Sequence, residues 1–145
     1  MLKGNEGSGR YWLTPGDVMA KLAEEFAFDF DACPWPVPDG YNSLDVPWGR
    51  CSYVNPPFRR KDGVMGCGPT AFVRKAIREH AEGKTVVLLL PTQSYVNLLL
   101  EAGAEVRSMG RVRWLEADSR RPSQHPSPIT EFVLKGGVGC AAEGQ

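Results

Sequence analysis

Thr85-Val86-Val87-Leu88-Leu89-Leu90 is the stretch on which the fold turns. From Val86 onward it carries no polar residue that would mark a solvent face. Such a run predicts a strand buried on both sides, as in a parallel sheet covered by helices. Phe72, Val73, Ala76 and Ile77 precede it at helical spacing and predict a helix over 70–82, ended by Gly83. A second helix over 93–102 follows and stops at Gly103. Upstream, residues 51–54 predict a short strand that must end at Asn55-Pro56-Pro57-Phe58, because prolines cannot continue a ladder. Residues 26–33 alternate apolar and polar toward their end and predict a strand stopped by Pro34 and Pro36. Before it, Thr14 as N-cap, Pro15 in the first turn and apolar Val18, Met19, Leu22, Ala23 and Phe26 predict a helix over 15–26. Two last strands are predicted near 106–115 and 129–134. This order predicts an α/β fold: an open sheet with helices on its faces, ending in an antiparallel hairpin.

The chain has 145 residues, 42% of them hydrophobic, which suits one domain with a core. The expected division is a flexible segment 1–10, one domain 11–136 and a flexible tail 137–145. Seventeen basic and seventeen acidic side chains give a net charge of zero, which excludes a histone-like polycation. The charge is uneven: residues 51–121 hold 12 basic and 7 acidic side chains, net +5, while residues 1–50 hold 4 and 8, net −4. The apolar run 86–90 is too short to span a bilayer, and no charged-then-apolar signal segment opens the chain, so a cytoplasmic protein is expected. Cys33, Cys51, Cys67 and Cys140 form no C-x-x-C pair, so no metal is expected and the cysteines are predicted to be reduced thiols. His80 is expected to be surface or core filler and not a catalyst.

Ligands in open α/β sheets bind beyond the carboxyl ends of the strands. Both Phe28-Asp29-Phe30-Asp31-Ala32-Cys33 and Asn55-Pro56-Pro57-Phe58 stand at such ends. Two prolines stiffen the second segment, so Asn55 and a backbone carbonyl can present paired acceptors in one direction. Paired acceptors suit the two hydrogens of an exocyclic amine such as adenine N6, and Phe58 beside them can stack on its ring. Arg59, Arg60 and Lys61 follow directly, and Arg107, Arg111, Arg113, Arg120 and Arg121 come later. Together they predict a phosphate-facing patch.

These segments, with Trp12-Leu13-Thr14-Pro15, Tyr41-Asn42-Ser43-Leu44, Trp48, Gly110-Arg111-Val112 and Pro126-Ser127-Pro128, resemble the phage-type, Dam-like DNA adenine-N6 methyltransferases. The resemblance runs from Trp12 to about Leu134. It implies a reduced Rossmann-like sheet of the class I methyltransferase type, S-adenosylmethionine as cofactor, and transfer of its methyl group to a flipped adenine in double-stranded DNA. It further implies a phage or prophage origin in a bacterial host and a restriction-modification setting. Asn55, Pro56, Pro57 and Phe58 match the catalytic motif. Thr14, Pro15, Asp29, Asp31 and Ala32 match segments that line the donor pocket, where an acidic side chain accepts from an ammonium or ribose hydroxyls. The sequence departs from larger methyltransferases in one respect: Asp31-Ala32-Cys33-Pro34 replaces their Gly-rich turn. No separate target-recognition domain is expected, so a homodimer or a partner protein is the expected source of site choice. Two other readings are a catalytically silent nucleic-acid-binding module and a methyltransferase acting on RNA or a protein amide.

Overall fold

The structure is a computed structural model that describes residues 12–56, 68–91, 96–117, 119–123 and 127–137. Its elements, in chain order, are β1 (Trp12–Leu13), α1 (Gly16–Glu25), β2 (Phe30–Asp31) and β3 (Cys51–Val54). They continue with α2 (Pro69–Ala81), β4 (Thr85–Leu90), α3 (Val96–Glu101), β5 (Glu105–Val112), β6 (Leu115–Glu116) and β7 (Ser127–Leu134). The fold is α/β, with an open, mixed five-stranded sheet in the order β2-β3-β4-β7-β5. β2, β3 and β4 are parallel, and β7 runs antiparallel to both β4 and β5. The expected closing hairpin is therefore present as the β5–β7 pair, with β7 inserted beside β4. A two-stranded sheet, β1 with β6, was not foreseen from the sequence.

All six residues of β4 are buried, as its apolar run requires. Successive side chains of a strand point to opposite faces, and β4 divides accordingly. Val86, Leu88 and Leu90 pack with Phe72, Val73 and Ala76 of α2 and Leu99 of α3. Val87 and Leu89 point to the other face. There Leu89 joins Leu22 of α1, Tyr53 and Trp114, and Val87 joins Phe26, Cys51 and Val133. Gly83 and Gly103 end α2 and α3 at φ +95° and +88°, a region glycine reaches without strain.

Three local expectations are corrected. Thr14 is not the cap of α1: Pro15 holds that place with no side-chain cap bond, because the Thr14 hydroxyl is drawn to Tyr53. The strand expected over 26–33 shrinks to Phe30–Asp31. Phe26 closes α1 by donating to the Leu22 carbonyl, and the Asp29 carboxylate continues the contact with β3 through its side chain. Cys51 is disulfide-bonded, against the expected reduced thiols, whereas Cys33 is a thiol. Spacing along the chain does not report which sulfurs a sheet brings together.

The loop between β2 and β3 is held by a buried polar knot. Glu79 of α2, 3% exposed, accepts from the Trp48 amide (2.5 Å), Lys84 Nζ (2.7 Å) and Lys75 Nζ (3.2 Å). Trp48 in turn donates from Nε1 to the Ser43 carbonyl and stacks on Phe30, while Ser43 Oγ donates to the Ala32 carbonyl. Burial alone would raise the Glu79 pKa. The bonds from Lys84, the Trp48 amide and Lys75 outweigh it and hold the carboxyl at about 2.

Candidate functional site

The carboxyl ends of β2, β3 and β4 lie along one edge of the sheet, and the register fixes what stands there. Asp31, the last residue of β2, pairs with Tyr53, and Asn55 follows two residues further along the β3 chain. The sheet thus brings the acidic segment and the Asn-Pro turn to the same edge, as the sequence predicts. Pro56 is buried, and Asn55 is partly buried with Oδ1 below the solvent-accessible surface. A low-dielectric setting strengthens an acceptor of this kind toward any donor that reaches it. Pro57, Phe58, Arg59, Arg60 and Lys61 lie outside the described residues.

The two aspartates separate by role. Asp29 precedes β2, at the amino end of the strand, and its carboxylate accepts from the Arg50 amide (3.1 Å) and the Cys51 amide (3.0 Å). It ties β2 to β3. Gly49 makes this possible, since a Cβ there would overlap Asp29 Oδ1 and stand 2.9 Å from Phe30 Cβ. Asp31 is at the carboxyl end of β2, and its Oδ1 accepts from the Cys33 amide (3.0 Å) in a tight turn. Partial withdrawal from water raises the Asp31 pKa, opposed by that amide. Burial first, and then the nearby Asp31 and Cys33 side chains, raise the pKa of Tyr41 across the same turn.

Thr14 reaches this edge from the start of α1. Its Oγ1 lies 2.5 Å from the hydroxyl of Tyr53, a side chain only 5% exposed. Burial pushes the Tyr53 pKa well up, so the phenol stays protonated in this pair. Tyr53 was not singled out from the sequence. Its only signal there is its place two residues before Asn55. Ala32, 1% exposed, borders a cavity of about 70 Å³ with Cys33, Pro34, Tyr41, Asn42 and Phe72. A larger hollow of about 430 Å³ lies elsewhere, between α2 and α3, among Arg74, Ile77, Arg78, Leu98, Glu101 and Ala102.

The basic residues also divide. Arg111 and Arg113, both exposed, stand at and just past the end of β5, whose register carries them beyond the level of Leu90. Arg113 donates to the Ser123 carbonyl. Arg107 is near the opposite end, bound to Glu25 (2.5 Å), Glu105 (3.2 Å) and Glu131 (3.4 Å), and it stands over the Phe26 ring. These carboxylates, Glu25 foremost, raise its pKa further. Arg107 therefore leaves the expected phosphate-facing set, since three carboxylates already occupy its donors. His80 Nδ1 sits 3.3 Å from the Lys84 carbonyl at the end of α2, away from the site.

Comparisons with protein-family models, curated proteins and solved structures gave no match for this chain. Among the described residues no helix is long and apolar enough to cross a membrane.

Proposed function

We propose that this protein is an S-adenosylmethionine-dependent methyltransferase that acts on the N6 amine of an adenine flipped out of DNA, built on a reduced Rossmann-like sheet. The observation that supports it most is the meeting of Asn55-Pro56 and Asp31 at one carboxyl edge, set by the Asp31–Tyr53 register. The motif resemblance adds the identity of donor and acceptor.

The chemistry of the residues at the end of β2 fits the donor. Asp31 offers an acceptor for the ammonium or ribose hydroxyls, and Ala32 and Phe72 offer apolar surface beside it. The cavity of about 70 Å³ is smaller than the several hundred of a usual ligand pocket, so the turn around residues 33–42 has to open on binding. The cofactor, when bound, supplies an electrophilic methyl group. Asn55 and its neighbouring carbonyl would accept from the adenine amine and favour a pyramidal nitrogen, whose lone pair takes the methyl group as the methyl–sulfur bond breaks; the donor would leave as the neutral thioether and the amine proton would pass to water. Arg111 and Arg113 hold backbone phosphates at the same edge.

Mass spectrometry of nucleosides from DNA of cells expressing the protein tests this reading: N6-methyladenine is expected with wild type and absent with Asn55→Ala. The small cavity and the missing Gly-rich turn favour a second reading, a catalytically silent nucleic-acid-binding module. Calorimetry with S-adenosylmethionine separates the two, since the silent module gives no heat.

A further inference from the structure

We infer that the groove between α2 and α3 is the face on which two copies of this chain associate, with α2 of each lying over α3 of the other. The floor of the groove is apolar: Ile77, Leu98 and Ala102 pack on the core beneath both helices. Its walls carry opposite charges. Arg74 and Arg78 stand on the α2 side and Glu101 on the α3 side, all three exposed. Among the described residues none of these three has an ion-pair partner. The two arginines repel, being like charges one helical turn apart. Glu101 ends α3, whose last turn holds no basic residue, and an acid at that end opposes the helix dipole. An opposite charge from outside relieves both walls.

The apolar surface continues past the groove. Leu100 of α3 is 49% exposed and Val106 of β5 is 47% exposed. Val106 is the register partner of Phe132, a core residue beneath the two helices, so both side chains share that face. Two of the three large apolar side chains exposed among the described residues therefore lie on this side of the sheet. Covering them, and closing a hollow of about 430 Å³, removes hydrocarbon from water.

The charges choose both the occupant and the way it lies. A partner of one sign satisfies one wall and meets a like charge at the other, whereas a second copy brings both signs. Homodimers are most often two-fold, and two such axes lay one helix pair on another. An axis across the helices puts α2 over α2, with arginine against arginine. An axis along the groove puts α2 over α3 and keeps every residue at its own height. Arg74 and Arg78 of each copy then face Glu101 of the other, and the contact occurs twice. α2 is about 20 Å long, and two helices side by side are about 20 Å wide. A footprint on the order of 400 Å² per copy belongs to weak association, so a micromolar Kd is expected.

Sedimentation velocity of the full chain over micromolar to millimolar concentrations tests the assignment. Wild type is expected to pass reversibly from monomer to dimer. Glu101→Arg makes the patch wholly positive, and the double variant Arg74→Glu, Arg78→Glu makes it wholly negative. All three side chains are exposed, so each variant should keep the wild-type Tm. Alone, each variant is expected to remain monomeric, its Kd raised at least about a hundredfold by like charges held together. Mixed, the two are expected to form a heterodimer near the wild-type Kd, because every charge again meets its opposite. A wild type that stays monomeric throughout would overturn the assignment. So would either variant dimerising alone as wild type does, or a mixture that stays monomeric.

Discussion

Glu79→Gln isolates the charge at the centre of the knot beneath the β2–β3 loop. The amide is nearly isosteric and still accepts from the Trp48 amide, but Lys75, 9% exposed, and Lys84 lose their counter-charge. A carboxyl lowered from 4.5 to about 2 corresponds to roughly 3 kcal/mol of stability at neutral pH. Breaking a buried ion pair from one side costs a similar amount, about 3–5 kcal/mol. The sign follows from the depressed pKa: the contribution is complete above about pH 4.5 and is lost as pH falls from there toward 2. Urea unfolding of both proteins at several pH values from 7 down to 2.5 is the assay. The gap between wild type and variant is expected to be near 3 kcal/mol at pH 7 and to close as the pH approaches 2. A gap that stays constant with pH would refute the role of the charge, and one below about 1 kcal/mol would refute the burial argument.

Gly49→Ala is expected to cost about 2–4 kcal/mol in the same unfolding assay, because the new methyl drives Asp29 off the Arg50 and Cys51 amides. On the proposed function, donor affinity measured by calorimetry weakens as pH falls through the raised Asp31 pKa, since only the carboxylate holds an ammonium, and Asp31→Asn removes that dependence. Charge reversal at Arg111 and Arg113 should flatten the salt dependence of duplex binding by roughly one unit of slope for each phosphate no longer neutralised, whereas reversal at Arg107 should change stability and leave the slope alone.

The two predicted aspartates show where sequence reasoning stops. Their alternation with Phe28 and Phe30 is legible, and so is their place before a proline-rich stop. Nothing in that pattern tells that Asp29 serves the backbone of β3 while Asp31 stands at the carboxyl edge of the sheet. That follows from the two-residue length of β2 and its register with β3. Arg107 and Arg111 differ in the same way. They sit four residues apart in one basic stretch, and only the β5–β7 register places one beside Glu131 and the other past the end of β4.

What the sequence alone determined is what short-range chemistry controls. Periodicity placed α1, α2 and β4 to within a residue or two, glycines ended α2 and α3, and prolines ended β3. Continuous apolar character announced a strand with two covered faces. The tertiary structure alone decided which distant groups meet: Thr14 with Tyr53, Glu79 with Trp48, Arg107 with Glu25, and β7 between β4 and β5. Helix and strand signals come from neighbours a few residues apart, whose geometry the backbone fixes. Partners 24 to 82 residues apart in the chain are chosen by how buried faces pack and which polar groups that packing has to satisfy.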